Sequence, residues 1–159
     1  MTEMLNILVA EPNKGFHDLL RLFLRKLTIY DHRLFIHSAY QQDQALAMIK
    51  HNKDFALIIS SSKFKRKNDG LFFLAKIRKD KMLNATRIIY HIHQGDLQPK
   101  LDTIKKLEIN CFRKTHELTQ YNFFNEVHTS LRDFITIQTL NETQNRYQTI
   151  LDRIHSRAS

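Results

Sequence analysis

The chain has 159 residues, 42% of them apolar, and it carries 11 Phe and 5 Tyr, enough to bury the core of one ordered domain with or without a helical appendage. Its formal net charge is +9, which suits nucleic acid, an anionic membrane or an acidic protein as partner without choosing among them. No apolar run approaches the roughly 20 residues that cross a bilayer, no secretory signal is legible from Met1 to Glu11, and the single Cys111 excludes an internal disulfide and fits a reducing cytosol, so a cytoplasmic protein is expected.

Leu5 to Ala10 is apolar apart from Asn6 and stops at Glu11-Pro12, which suits a buried central strand. Phe16, Leu19, Leu20, Phe23, Leu24 and Leu27 then recur at helical spacing and share one face. Leu34 to Ser38 reads as a second strand, and Ala45, Leu46 and Ile49 mark a second helix. Phe55 to Ile59 is apolar throughout, with β-branched Ile58 and Ile59. Asp69-Gly70 signals a turn that opens a helix through Leu71, Leu74 and Ile77. Ile88 to Ile92 predicts a strand, Leu97 to Leu107 a helix, Ile109 to Arg113 a strand, and a last helix starts near His116.

Strands alternating with helices build βαβ units, hence a doubly wound α/β fold with a five-stranded parallel sheet. Functional loops then gather at the carboxyl ends of the strands, here Glu11-Pro12, Ser60 to Ser62, Ile92-His93 and Lys114-Thr115. Between Lys63 and Lys81 lie Lys63, Lys65, Arg66, Lys67, Lys76, Arg78, Lys79 and Lys81, a basic run that reads as a solvated face or a site for an anion. His91 and His93 share one face of a strand, but no third metal ligand is identifiable by spacing. With no glycine-rich phosphate loop and no serine–histidine–carboxylate motif, neither an enzyme nor a cofactor is expected. Cys111, flanked by Asn110 and Phe112 with Ile109 nearby, reads as a core thiol.

Several of these patterns resemble the response-regulator receiver family over roughly Asn6 to Phe134. Ile7-Leu8-Val9-Ala10-Glu11 resembles the first strand and its acidic end. Ala39 and Ala45-Leu46 resemble the alanine after strand two and the alanine-leucine of helix two. Ala56 to Ser61 resembles the third strand, Asp69-Gly70-Leu71 the start of helix three, and Cys111 to Thr115 the fifth strand with its lysine. The resemblance implies a flavodoxin/CheY-like (βα)5 fold, with a receiver-like domain over 1–136 and a helical extension over 137–159.

It also exposes departures. The family's phospho-acceptor is an aspartate, and the matching residue here is Ser61, between Ser60 and Ser62. A serine hydroxyl is uncharged at neutral pH and needs a base beside it to attack. The family's acidic pair for Mg²⁺ is reduced to Glu11, with Pro12 in the second place. Ile92 stands where a hydroxyl senses the phosphoryl group, Cys111 where an aromatic switch stands, and Thr115 where a proline follows the lysine. Lys114 survives, and without an acceptor carboxylate a structural Glu11–Lys114 contact is expected. Lys63, Lys65, Arg66 and Lys67 follow Ser61 directly and suit an anion or a partner better than Mg²⁺.

Leu140, Tyr147 and Ile154 are seven apart, with Ile150 and Leu151 between them, a short heptad seam beyond the usual end of a receiver. The seam either folds back on the domain or forms a dimer or partner helix, and a homodimer is expected. The reading is a non-phosphorylatable, two-component-type receiver that acts through protein–protein interaction. The alternative is a nucleic-acid or anionic-ligand module using the Lys63–Lys81 surface.

Overall fold

The computed structural model describes residues 3–158. Strands β1 (Met4–Ala10), β2 (Arg33–Ala39), β3 (Phe55–Ser61), β4 (Arg87–Ile92) and β5 (Cys111–Lys114) form one parallel sheet in the order β2-β1-β3-β4-β5. Helices α1 (Lys14–Arg25), α2 (Gln42–His51), α3 (Asp69–Arg78), α4 (Leu101–Leu107) and α5 (Gln120–Ala158) complete a doubly wound α/β fold. The strand order reverses between β1 and β3, which opens a crevice at their carboxyl ends.

Strand β3 is buried at every position, as a central parallel strand covered on both faces must be. On one face Leu8, Ala10, Ile58, Ile88 and Tyr90 pack against Ala45 and Ile49 of α2, Phe73 and Leu74 of α3, and Leu107 of α4. On the other, Ile7, Val9, Leu57, Ile59 and Ile89 meet Leu20 and Leu24 of α1 and Phe123, Val127 and Leu131 of α5. The alternation of these residues along each strand is the period-two pattern that a pleated sheet imposes.

Two helix starts differ from the sequence expectation. Helix α4 begins at Leu101, not Leu97, because the Leu97 amide is taken by the Asn68 side chain (2.9 Å) and Pro99 biases the residue before it away from helix. Helix α5 begins at Gln120, not near His116. A 3₁₀ turn occupies Thr115–Glu117, and Thr119 and Asn122 cap the helix reciprocally, at 2.9 and 3.1 Å.

Helix α5 runs unbroken through the 136/137 boundary drawn from the sequence. Its last buried residue is Phe134, and residues 139–158 are exposed throughout. The seam does not fold back onto the domain: Leu140, Tyr147, Ile150, Leu151 and Ile154 all face solvent. Glu3, Met4, Leu5 and Asp54, at the amino ends of β1 and β3, share a cleft with Phe134, Gln138 and Glu142. The helix therefore leaves the domain by the amino ends of the strands.

Candidate functional site

At the carboxyl ends of β1 and β3, Glu11, Pro12, Asn13, Lys63, His93 and Gln94 line an open cleft of about 370 Å³. The Glu11 carboxylate is almost wholly buried. One oxygen accepts the Asn13 amide N–H at 2.9 Å, and the other lies 2.8 Å from His93 Nε2. His17, at the start of α1, donates from Nδ1 to the Glu11 carbonyl (2.8 Å) and stacks on Tyr40, with ring centroids 4.2 Å apart. The carboxylate is thus held by Asn13 and His93, and the backbone carbonyl of the same residue by His17.

The expected Glu11–Lys114 contact does not form. Lys114 is exposed at the end of β5, an edge strand, and β3 and β4 lie between it and β1. Three strand spacings amount to about 14 Å, and Glu11 pairs with the nearer His93 instead. Ile92 is buried in the core beneath α3 and α4, so it closes the site from below and offers it no polar group.

The serines that replace the acceptor are equally committed. Ser60, Ser61 and Ser62 are all buried. The Ser61 hydroxyl donates to the Lys63 carbonyl (2.9 Å), and the Ser60 hydroxyl donates to the Ser61 carbonyl (3.2 Å). Ser62 Oγ accepts the His93 amide (2.9 Å) and donates to Asp96 (2.5 Å). The Ser60 and Ser61 hydroxyls thus give their protons to carbonyl oxygens, which are no base, and only Ser62 meets a carboxylate, that of Asp96 in the loop after β4.

His91 and His93 share a face, as their alternation requires, and Phe16 meets both rings edge-on at 5.5 and 5.6 Å. His91 is fully buried, and neither ring nitrogen has a hydrogen-bond partner. Burial drives its pKa down to about 3, with the charges of His93 and Arg113 acting the same way, so the ring is neutral. Among the described residues no three His, Cys, Asp or Glu side chains are grouped to hold a metal ion.

The basic run does not form one surface. Lys63, Lys65, Arg66 and Lys67 are exposed, but Arg78 turns inward and donates to the carbonyls of Leu107, Leu83 and Glu108 at 2.8, 2.9 and 3.0 Å. Asp80 pairs with Lys53 at 2.6 Å. The Asp69 carboxylate pins the loop by accepting the amides of Phe64, Lys65 and Arg66 at 2.7, 2.9 and 2.9 Å. Burial opposes the Asp69 charge, but these amides outweigh it and hold the carboxyl below its usual range. Phe64, the aromatic in the run, is half-buried: it meets Phe73 edge-on and also lines the cleft beside Lys63. Cys111 is half-buried, and burial together with the Glu126 charge pushes its thiol up to about 12.

Sequence reasoning found Glu11, Lys63 and the serines. It missed His17 and Asp96 altogether, and it placed His93 at a strand end without naming Glu11 as its partner. All three lie in different segments from the groups they hold, so no local pattern pointed to them.

No protein-family model and no curated protein matches the sequence. Among solved structures, the chain is similar to a response regulator receiver domain from Clostridium thermocellum, with 16% identity, a TM-score of 0.65, and 86% of this chain and 98% of that one covered. It is also similar to the N-terminal domain of a response regulator/sensory box/GGDEF protein from Carboxydothermus hydrogenoformans (14% identity, TM-score 0.65, 82% and 97% covered). A third similar structure is a fusion bearing the yeast Spc42 trimeric coiled coil (15% identity, TM-score 0.68, 98% and 95% covered). These likenesses establish the fold: the chain has the flavodoxin/CheY-like architecture of response-regulator receivers, extended by a long terminal helix.

Proposed function

We propose that the chain is a receiver-fold signalling module that works without phosphorylation, by binding protein partners, and that it is not an enzyme. The observation that carries this reading is the state of the strand-end site. The Glu11 carboxylate is buried and held by His93 and Asn13, and the serines at the acceptor position are buried with their hydroxyls hydrogen-bonded internally, that of Ser62 to Asp96. Mg²⁺ prefers several carboxylate oxygens with room for its waters, and phosphotransfer needs an exposed nucleophile. A second copy of the chain is one such partner, through the exposed seam of α5.

The exposed Lys63, Lys65, Arg66 and Lys67 favour a second reading, an anionic-ligand or nucleic-acid module. The inward turn of Arg78 weakens it, since it removes a cation from that surface. Steep loss of binding to unrelated nucleic acids with rising salt would favour it over the first.

The test is incubation with acetyl phosphate and Mg²⁺, followed by intact-mass measurement. An unchanged mass is expected. A stable phosphoryl adduct on Ser60, Ser61 or Ser62 would overturn the reading.

A further inference from the structure

We infer that residues 137–158 of α5 pair with the same segment of a second copy as a parallel, in-register, two-stranded coiled coil, with Gln144 facing Gln144 at its axis. This deepens the self-association proposed above and rests on it. It does not depend on the chemistry of the strand-end site.

The first observation is that this helix lacks local reasons to stand alone. Residues 139–158 are exposed along a length of about 30 Å. They include Thr139, Asn141, Thr143, Asn145, Thr149 and Asp152, all weak helix formers. Thr139, Thr143 and Thr149 turn their hydroxyls back to the carbonyls four residues earlier, at 2.9 Å each, a contact that weakens a helix slightly. An isolated helix of this length and composition is marginal in water, so its stability must come from packing.

The second is the spacing. Ile137, Leu140, Gln144, Tyr147, Leu151 and Ile154 alternate at intervals of three and four, the a and d positions of successive heptads. Leu140, Tyr147, Leu151 and Ile154 are between 48% and 66% exposed, and Ile150 widens the stripe beside Leu151. Four large side chains and Ile150 on each of two copies offer apolar area on the order of 1,000 Å², the lower bound of a specific interface.

The occupant is a second copy because the flanks of the stripe select nothing else. The positions beside the seam are Asn141, Thr143, Gln148, Ile150, His155 and Arg157. They carry no acidic residue and one permanent charge, so neither an acidic nor a basic partner is specified, and two copies approach without repulsion over the first heptads. Gln144 is self-complementary, with one amide donating N–H and the other accepting through C=O. This also fixes the direction. The antiparallel arrangement that sets a positions against d positions, Leu140 against Leu151, would set each Gln144 against Tyr147 and separate the two amides that the parallel arrangement pairs.

The test places a single cysteine at the axis. In a Cys111→Ser background, Gln144→Cys is compared with Arg146→Cys, which lies on the outer face. Light scattering at micromolar concentration should give twice the 19.0 kDa chain mass. Mild oxidation should link the Gln144→Cys chains at least tenfold faster than the Arg146→Cys chains. A dimer that links no faster at position 144 overturns the parallel geometry and leaves self-association standing. A monomeric mass overturns both, and a three-chain mass overturns the two-stranded form. Leu140→Glu with Tyr147→Glu should yield a monomer with an intact domain, since both side chains are exposed and outside the core. A dimer that survives this pair of changes places the interface elsewhere and overturns the inference.

Discussion

Replacing His91 by Phe should flatten the acid side of the stability profile. His91 sits fully buried between Phe16 and Phe123, and its pKa is lowered to about 3 by burial first and by His93 and Arg113 after it. The unfolded chain carries the same ring with a pKa of about 6.5. Between those values the unfolded state binds a proton that the folded state refuses, so stability is retained above pH about 6.5 and lost as the pH falls toward 3. For one site, going from pH 7 to pH 5 costs the folded state about 2 kcal/mol, because protonation of the unfolded ring is nearly complete at pH 5 and that of the folded ring negligible. Phe keeps the ring volume and its aromatic neighbours but cannot titrate. Urea unfolding at the two pH values should therefore show the variant losing about 2 kcal/mol less than the parent. Equal losses in the two proteins would refute the buried, neutral assignment of His91.

Mg²⁺ in the millimolar range should leave the melting temperature unchanged, since a ligand of the native state must raise it; an upward shift abolished by Glu11→Gln would show a working ion site. Gly70→Ala should cost about 2 kcal/mol or more in chemical denaturation. Its Cβ would collide with the Ser61 carbonyl oxygen and approach Ser62 Cα to 2.8 Å, and an effect within about 0.5 kcal/mol would contradict that close approach. Arg78→Met removes three hydrogen bonds to carbonyls at the ends of α4 and the turn after α3. At about 1 kcal/mol each the loss is about 3 kcal/mol, or about 6–12 °C in melting temperature for a chain of this size. Arg66→Met, on an exposed cation, serves as the control and should change little.

The elements that were legible in the sequence are those whose signal is local. The apolar runs of β3 and β1 and the three-four spacing of α1 and α5 each report a face that must be buried or paired, and each element forms over those residues. What failed was set by groups far apart in the chain. The start of α4 was misplaced because Asn68, 29 residues earlier, claims the Leu97 amide. The partner of Glu11 was misassigned because strand order, not sequence, decides which loop lies beside it. His93, 82 residues away, reaches the carboxylate from the end of β4 across one intervening strand, whereas Lys114 sits beyond two. The inward turn of Arg78 was likewise hidden, since a run of cations reads alike whether each side chain meets water or a carbonyl.

The ties around the β3–α3 loop bear on how any partner would meet this end of the molecule. Asp69 holds three of its amides, Asn68 holds Leu97, and Ser62 links His93 and Asp96, so the backbone of the two neighbouring loops is already ordered. Docking here forfeits little main-chain freedom. The remaining loss lies in the side chains of Lys63, Lys65, Arg66 and Lys67, at about 0.5–1.5 kcal/mol for each one immobilised. A partner that leans on the fixed loop backbone and leaves those four tips free therefore associates at a lower entropic cost than one that clamps them.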